Sequence, residues 1–131
     1  MTQEEKALLL KDLCARLPYN PMVEYKGETY NVLGIVHERL ALCKPPMSYT
    51  LDDCPLVKEV KPYLFPQSSM TEEQQKDLAK FVANGVYDEN IVYDWFNKNH
   101  FDYRGLIPMG LANNATGLNI YSYEQEPEKN D

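Results

Sequence analysis

The rhythm of apolar and polar positions changes twice along this chain. Near the start, Leu10, Leu13, Cys14 and Leu17 recur at helical spacing and mark one face of a helix. Thr2 and Glu5 precede them in capping-box register, where hydroxyl and carboxylate each satisfy a backbone N–H that the first turn leaves orphaned. Pro18 ends the helix. From residue 22 the period shortens. Val23-Glu24-Tyr25 alternates, and Lys26-Gly27 supplies a turn in which Gly takes positive φ. Residues 29–36 place Tyr30, Val32 and Gly34 on one face, with Leu33 and Ile35 making the run two-sided. Such a strand is buried on both faces or strongly bent, and Gly34 permits a bulge. His37-Glu38-Arg39 is the next turn. Residues 40–44 are a third strand, ended by Pro45-Pro46.

Residues 45–56 read as loop. Residues 57–60 fit a short strand, and Tyr63-Leu64-Phe65 is extended between Pro62 and Pro66. Several short strands in so short a span predict a small, curved antiparallel sheet of SH3-like form, with the N-terminal helix over one open end. The second change falls at Ser68-Ser69. Thr71 with Gln74, or Ser69 with Glu72, has capping-box spacing. Leu78, Phe81 and Val82 then give the inner face of a helix ending near Asn84-Gly85. Asp88 caps another helix, whose inner stripe is Ile91, Val92, Trp95 and Phe96. Trp95 is expected to anchor this segment on the sheet. That helix frays over residues 97–100, and 103–109 is one more short turn. Residues 111–123 are loop-rich, with Leu118, Ile120, Tyr121 and Tyr123 as an edge strand. The expected class is α+β: a helix-and-sheet lobe over 1–66, a helical segment over 67–123 and a disordered acidic tail over 124–131.

Charge narrows the function. The 131 residues carry a net −7, with −1 over residues 1–66 and −6 over 67–131. Phosphate backbones attract Lys and Arg, so direct nucleic-acid binding is not expected. No purely apolar run exceeds four residues, as in Ala7-Leu8-Leu9-Leu10, too short for a membrane span, and the acidic N-terminus does not read as a secretory signal. Three cysteines without Cys-x-x-Cys pairing fit a reducing cytoplasm. His37, Cys43 and Cys54 match no common zinc spacing, so no metal and no cofactor is expected. Phosphate loops, serine elbows and His-Glu-x-x-His are missing, and no catalytic residue is assigned. A Cys43 or Cys54 thiolate with either histidine is the conceivable exception.

Several stretches carry a resemblance when taken together. They are Leu17-Pro18-Tyr19, Val23-Glu24-Tyr25-Lys26-Gly27 with Tyr30, and Lys61-Pro62-Tyr63-Leu64 leading into Ser68-Ser69-Met70-Thr71-Glu72-Glu73. The last is His100-Phe101-Asp102-Tyr103-Arg104-Gly105-Leu106-Ile107 with Gly110-Leu111-Ala112. Over nearly its whole length the chain resembles small hypothetical proteins of gut Bacteroidales and their phages or mobile elements. The resemblance implies a bacterial or phage-infected cytoplasm as the setting, and it carries over no activity or ligand.

The densest polar–aromatic stretch runs from Trp95 to Arg104. Aromatic and Arg side chains dominate binding hot spots. His100, Asp102, Tyr103 and Arg104 are therefore the expected partner-binding residues, on a turn emerging after a helix. Tyr49, Tyr121 and Tyr123 are the tyrosines least tied to a core face. The leading expectation is a non-enzymatic protein-interaction protein with a protein partner. One rival is a counter-defence inhibitor that blocks a host protein with an acidic surface. The other is a small-ligand binder or an unrecognised enzyme, which a deep apolar pocket holding His37 or His100 would favour.

Overall fold

The computed structural model describes residues 1–45, 50–83 (side chains to residue 80) and 89–121. Its order is α1 (Gln3–Arg16), a 3-10 turn (Leu17–Tyr19), β1 (Met22–Tyr25), β2 (Glu28–Val36), β3 (Arg39–Cys43) and a 3-10 turn (Val57–Glu59). Then come β4 (Lys61–Leu64), a 3-10 turn (Gln67–Ser69), α2 (Glu72–Ala83), α3 (Glu89–Lys98) and β5 (Asn113–Asn114). The class is α+β. The side chains of Phe81 and Val82, the stop at Asn84-Gly85, the Asp88 cap, Tyr49, Tyr123 and the tail from Glu124 lie outside the described residues. Among those described, no helix is long and apolar enough to cross a membrane.

Both capping-box bonds form at α1, Thr2 N–H to Glu5 Oε1 at 2.9 Å and Glu5 N–H to Thr2 Oγ1 at 3.0 Å. The buried stripe differs from the expected one. It is Leu9, Asp12, Leu13 and Arg16, while Leu10 and Leu17 pack at its margin and Cys14 is exposed. The spacing 9, 12, 13, 16 is a helical face. Two of its four members are charged, so apolar periodicity points about one residue away from it.

The sheet order is β3-β2-β1-β4-β5. The first four strands are antiparallel neighbours, whereas β5 runs parallel to β4. The antiparallel sheet expected over residues 1–66 forms as β1–β4, β5 joins it in parallel from outside that span, and no pairing of β3 with β5 closes it among the described residues. The outer edge of β3 meets residues 53 and 56 through isolated bridges, and β4 meets β5. Lys26 and Gly27 both have positive φ, 53° and 79°, which matches the twist of a tight hairpin. The register of β2 against β3 shifts between Val32 and Gly34, the expected bulge.

Residues 57–59 are not a strand. Glu59 Oε2 accepts the Leu56 N–H at 3.0 Å, and the Val60 N–H reaches the Val57 carbonyl at 3.3 Å. A 3-10 turn eclipses positions i and i+3, and that sends Val57 and Val60 into the core together. A strand would have split them between two faces. The edge strand expected near residue 120 is likewise replaced: residues 118–121 turn, the strand is Asn113–Asn114, and Tyr121 points inward.

Under one sheet face, Val23, Tyr25, Val32, Leu40, Leu42 and Leu64 pack with Leu9 and Leu13 of α1 and with Leu106, Leu111 and Ala112. Across β1, β2 and β3, Met22, Asn31 and Cys43 are register neighbours, and all three are buried. Continuing the β1–β4 register puts Met22 opposite Tyr63. The Tyr121 hydroxyl stands between them, accepting from Met22 N–H at 2.9 Å and donating to the Tyr63 carbonyl at 3.0 Å.

The second cluster is smaller. Val92 and Phe96 of α3 and Phe101 are buried, with Phe65, Met70, Leu78, Trp95 and Tyr103 around them. The Thr71–Gln74 capping box holds the start of α2, at 2.9 and 3.1 Å. On α3 the expected stripe is partly wrong. Ile91 is 48% exposed. Trp95 is half-buried and lies stacked on Phe101, ring centroids 5.7 Å apart. Phe101, at 1% exposed, takes the anchoring position expected of Trp95.

Candidate functional site

The end of α3 fixes the turn after it. The His100 N–H bonds the Asn97 carbonyl at 3.2 Å, and the Phe101 N–H bonds the Phe96 carbonyl at 2.9 Å. His100 has φ 62°. These are the two bonds and the left-handed residue of a Schellman cap, and Phe96 against Phe101 supplies its hydrophobic contact. Beyond the cap, Phe65 N–H donates to the His100 carbonyl and Asp102 N–H to the Phe65 carbonyl, each at 2.8 Å. The turn is therefore stitched to the chain leaving β4.

Of the four residues expected to contact a partner, two face inward. His100 is 1% exposed, its ring stacked on Tyr121 at 3.6 Å. Asp102 is buried, and its two carboxylate oxygens accept the Leu106 and Ile107 N–H groups at 2.8 Å each. These two build the turn. Tyr103 and Arg104 are half-buried and reach its surface.

Arg104 is tied to α1 by charge. Its Nε lies 3.1 Å from Asp12 Oδ1, and its Nη2 donates to the Tyr103 hydroxyl at 2.9 Å. Asp12 is fully buried and also receives Arg16, from Nε at 2.8 Å and from Nη2 at 3.0 Å. Arg16 Nη2 reaches on to the Phe101 carbonyl at 2.6 Å, and its guanidinium lies 5.4 Å from the Tyr103 ring centroid. Arg16 Nη1 is buried without a hydrogen-bond partner among the described residues. One carboxylate thus serves two guanidiniums, and the group keeps an excess positive charge. An apolar stripe on α1 does not reveal Asp12 and Arg16. Their (i, i+4) spacing is the available signal.

Beside this group lies a cleft of about 570 Å³ between α1 and α3, to which its Tyr103 and Arg104 contribute. Lys11 and Ala15 line it from α1, Asn90, Tyr93, Asp94 and Asn97 from α3, and Tyr103 and Arg104 from the turn. Tyr93 is 41% exposed and stacks on Tyr103 with centroids 5.0 Å apart. Asn97 is 6% exposed, and its Oδ1 has no hydrogen-bond partner among the described residues. At the rim, the Tyr19 hydroxyl donates to Asp94 Oδ1. That bond raises the phenol pKa, with burial and the negative charge of Asp94 adding to it.

A second cavity, about 490 Å³, lies by the β2–β3 hairpin and is lined by Val36, His37, Leu40, Ala41, Cys54 and Leu56 with Glu38 and Arg39. His37 and Cys54 thus share a cavity, but no hydrogen bond links them among the described residues, and Arg39 Nη1 donates to the Cys54 carbonyl at 2.7 Å. The thiol of Cys43 is buried elsewhere. Among the described residues no group of three His, Cys, Asp or Glu is placed to hold a metal ion. Compared with family models, curated proteins and solved structures, the chain matches none.

Proposed function

We propose that this chain is a non-enzymatic protein-interaction protein that contacts its partner through the α1–α3 cleft. The carrying observation is the exposed Tyr93 stacked on Tyr103 beside Arg104, on a frame fixed by buried Asp12 and Arg16. Rigid aromatic and Arg side chains lose little entropy on binding and supply large contact area. A bacterial or phage-infected cytoplasm is the setting in this reading, and it comes from the sequence resemblance. Acidic mimicry is the less favoured version. On α2, Glu72, Glu73 and Asp77 share the helix with Lys76 and Lys80, and Lys80 pairs with Asp77 at 3.6 Å.

The test compares two surfaces. Tyr93→Ala and Val36→Ala both truncate exposed side chains, 41% and 69% exposed, at the cleft and at the hairpin. Each tagged variant is used for affinity capture from host cells with mass-spectrometric readout, alongside a thermal melt. The expected outcome is lost capture for Tyr93→Ala only, with both melts near that of the parent. Loss with Val36→Ala instead supports the second reading, a small apolar ligand or partner side chain in the cavity beside His37.

A further inference from the structure

Outward positions of a sheet that meets water are usually polar. At the β2–β3 hairpin most of them are apolar. Register pairs Val36 with Arg39 and Gly34 with Ala41, and paired residues share a face. The isolated bridges Arg39–Leu56 and Leu42–Asp53 run antiparallel, and the same register sets Cys54 beside Ala41. Two rows thus cross the sheet, one of Val36, Arg39 and Leu56, the other of Gly34, Ala41 and Cys54. Leu40 and Pro55, between the rows, are buried on the opposite face. Gly34 and Ala41 keep the second row low, and a Cβ at Gly34 would meet nothing within 4 Å. Val36, 69% exposed, stands higher beside it. These rows floor the cavity of about 490 Å³ at the hairpin, within the roughly 300–1,000 Å³ of small-molecule sites.

Arg39 gives this apolar floor its ionic group. Its Nη1 donates to the Cys54 carbonyl at 2.7 Å, which ties the guanidinium to the second row. Among the described residues no carboxylate pairs with it. The acids around the cavity are engaged elsewhere: Glu38 with Lys6 at 3.3 Å, Asp53 with the Cys54 N–H at 2.8 Å and Glu59 with the Leu56 N–H at 3.0 Å. The edge formed by Nε and Nη2 is left, two parallel N–H donors that match a carboxylate. The same edge of Arg16 holds Asp12, from Nε at 2.8 Å and from Nη2 at 3.0 Å. We propose that the hairpin cavity binds a single-chain fatty carboxylate, its chain over Gly34, Ala41 and Leu56 and its head on the Nε–Nη2 edge of Arg39. The proposal rests on the second reading, to which it gives a ligand class, and it is independent of protein contact at the α1–α3 cleft. The chain supplies most of the affinity, about fourfold per CH₂ buried. A net charge of −7 opposes any small anion at long range, so a carboxylate without a chain does not suffice. The guanidinium orients the head and rejects a cationic one.

The probe is octanoate, titrated into the ¹⁵N-labelled full chain at about 0.15 M salt and followed by NMR. Hexanoate, 1-octanol and octylammonium are run beside it. Octanoate is expected to shift the Gly34, Val36, Arg39, Ala41 and Cys54 resonances. It should bind about threefold or more tightly than 1-octanol or octylammonium, and about tenfold more tightly than hexanoate, whose chain is shorter by two CH₂ groups. Arg39→Gln, a change at an exposed residue that keeps a donor for the Cys54 carbonyl, should abolish the preference for octanoate and leave 1-octanol binding as it was. Octanol or octylammonium binding as tightly as octanoate overturns the proposal, and so does hexanoate binding as tightly. An unaltered preference in Arg39→Gln, shifts that map elsewhere, the α1–α3 cleft included, or no shift up to about 5 mM each overturn it too. None of these failures touches the contact reading, which Tyr93→Ala capture decides by itself. If octanoate fails while Val36→Ala still loses capture, the cavity of the second reading holds a partner side chain and not this ligand.

Discussion

Beneath the sheet, α1 sends Leu9 and Leu13 into a cluster made almost wholly of aliphatic side chains. One turn further along, the same helix turns Asp12 and Arg16 inward to a junction of charge and aromatic rings around Phe101 and Tyr103. The first region gains from area removed from water, which is non-directional and tolerant of substitution by shape. The second is held by directed bonds between atoms 85 and 92 residues apart in sequence. Each of those bonds matters because its groups are desolvated. The cleft that carries the functional proposal opens over the second region and not the first. Directional bonding is what fixes Arg104 and Tyr103 in place for contact.

The largest expected effect breaks that contrast. Asp12→Ala leaves two guanidiniums at the junction, one of them fully buried, with no counter-charge. It should lower unfolding free energy by about 3–5 kcal/mol, measured by urea denaturation. Adding Arg16→Met to Asp12→Leu should recover part of the loss, because the fully buried pair is then replaced by apolar groups and only the more exposed Arg104 is left without its counter-charge. Leu13→Ala in the apolar region should cost about 2–5 kcal/mol through its cavity. A pair of alanine costs that are alike, with no recovery in the double variant, would mean that the junction behaves as ordinary packing.

An expected gain sharpens the comparison from the other side. Asn31 is fully buried within the sheet, and among the described residues neither its Nδ2 nor its Oδ1 has a hydrogen-bond partner. Leu is forked at the same carbon and brings no polar atom. Asn31→Leu should raise stability by about 1–2 kcal/mol, since an unsatisfied buried polar group costs that order of energy. A lower thermal midpoint would show that the pocket around Asn31 is too tight for the added methyl volume.

How much of this was legible in the sequence follows the same division. The helix start at Thr2, the three hairpin strands and the bulge at Gly34 were readable, and Thr71 was one of two readable caps for α2, because each is a local rule of spacing or backbone conformation. Val57 and Val60 misled, since a 3-10 turn and a strand share the same apolar letters over four residues. At the site, all four residues were read as contacts on the turn; Tyr103 and Arg104 do reach its surface, whereas His100 and Asp102 turn inward. A polar residue in a loop reads as exposed. His100 instead occupies the left-handed cap position against Tyr121, and Asp102 spends both oxygens on backbone N–H groups. Tyr93, Asn97 and Lys11 were passed over because the cleft is assembled from three separated segments. No local pattern encodes that assembly.

The smallest expected effect concerns the same α1–α3 contact at its solvent edge. Tyr19 and Asp94 join the turn after α1 to α3, as Asp12 and Arg104 join α1 to the 100–104 turn further in. The outer link is wet and therefore weak in stability. It still leaves a signature, because the hydrogen bond to Asp94 raises the phenol pKa in the folded chain. A group raised in this way favours folding in its protonated form. Its contribution is fully present below the unfolded tyrosine value and is lost as pH rises through the higher folded value. In an ultraviolet titration of the folded protein, one late-ionising tyrosine should be present in the parent and missing in both Tyr19→Phe and Asp94→Asn. Tyr19→Phe should change the thermal midpoint only slightly at neutral pH, and the difference from the parent should vanish at alkaline pH. If the late ionisation survives Tyr19→Phe, it belongs to another tyrosine, and Asp94 is then free to meet a ligand with its full charge.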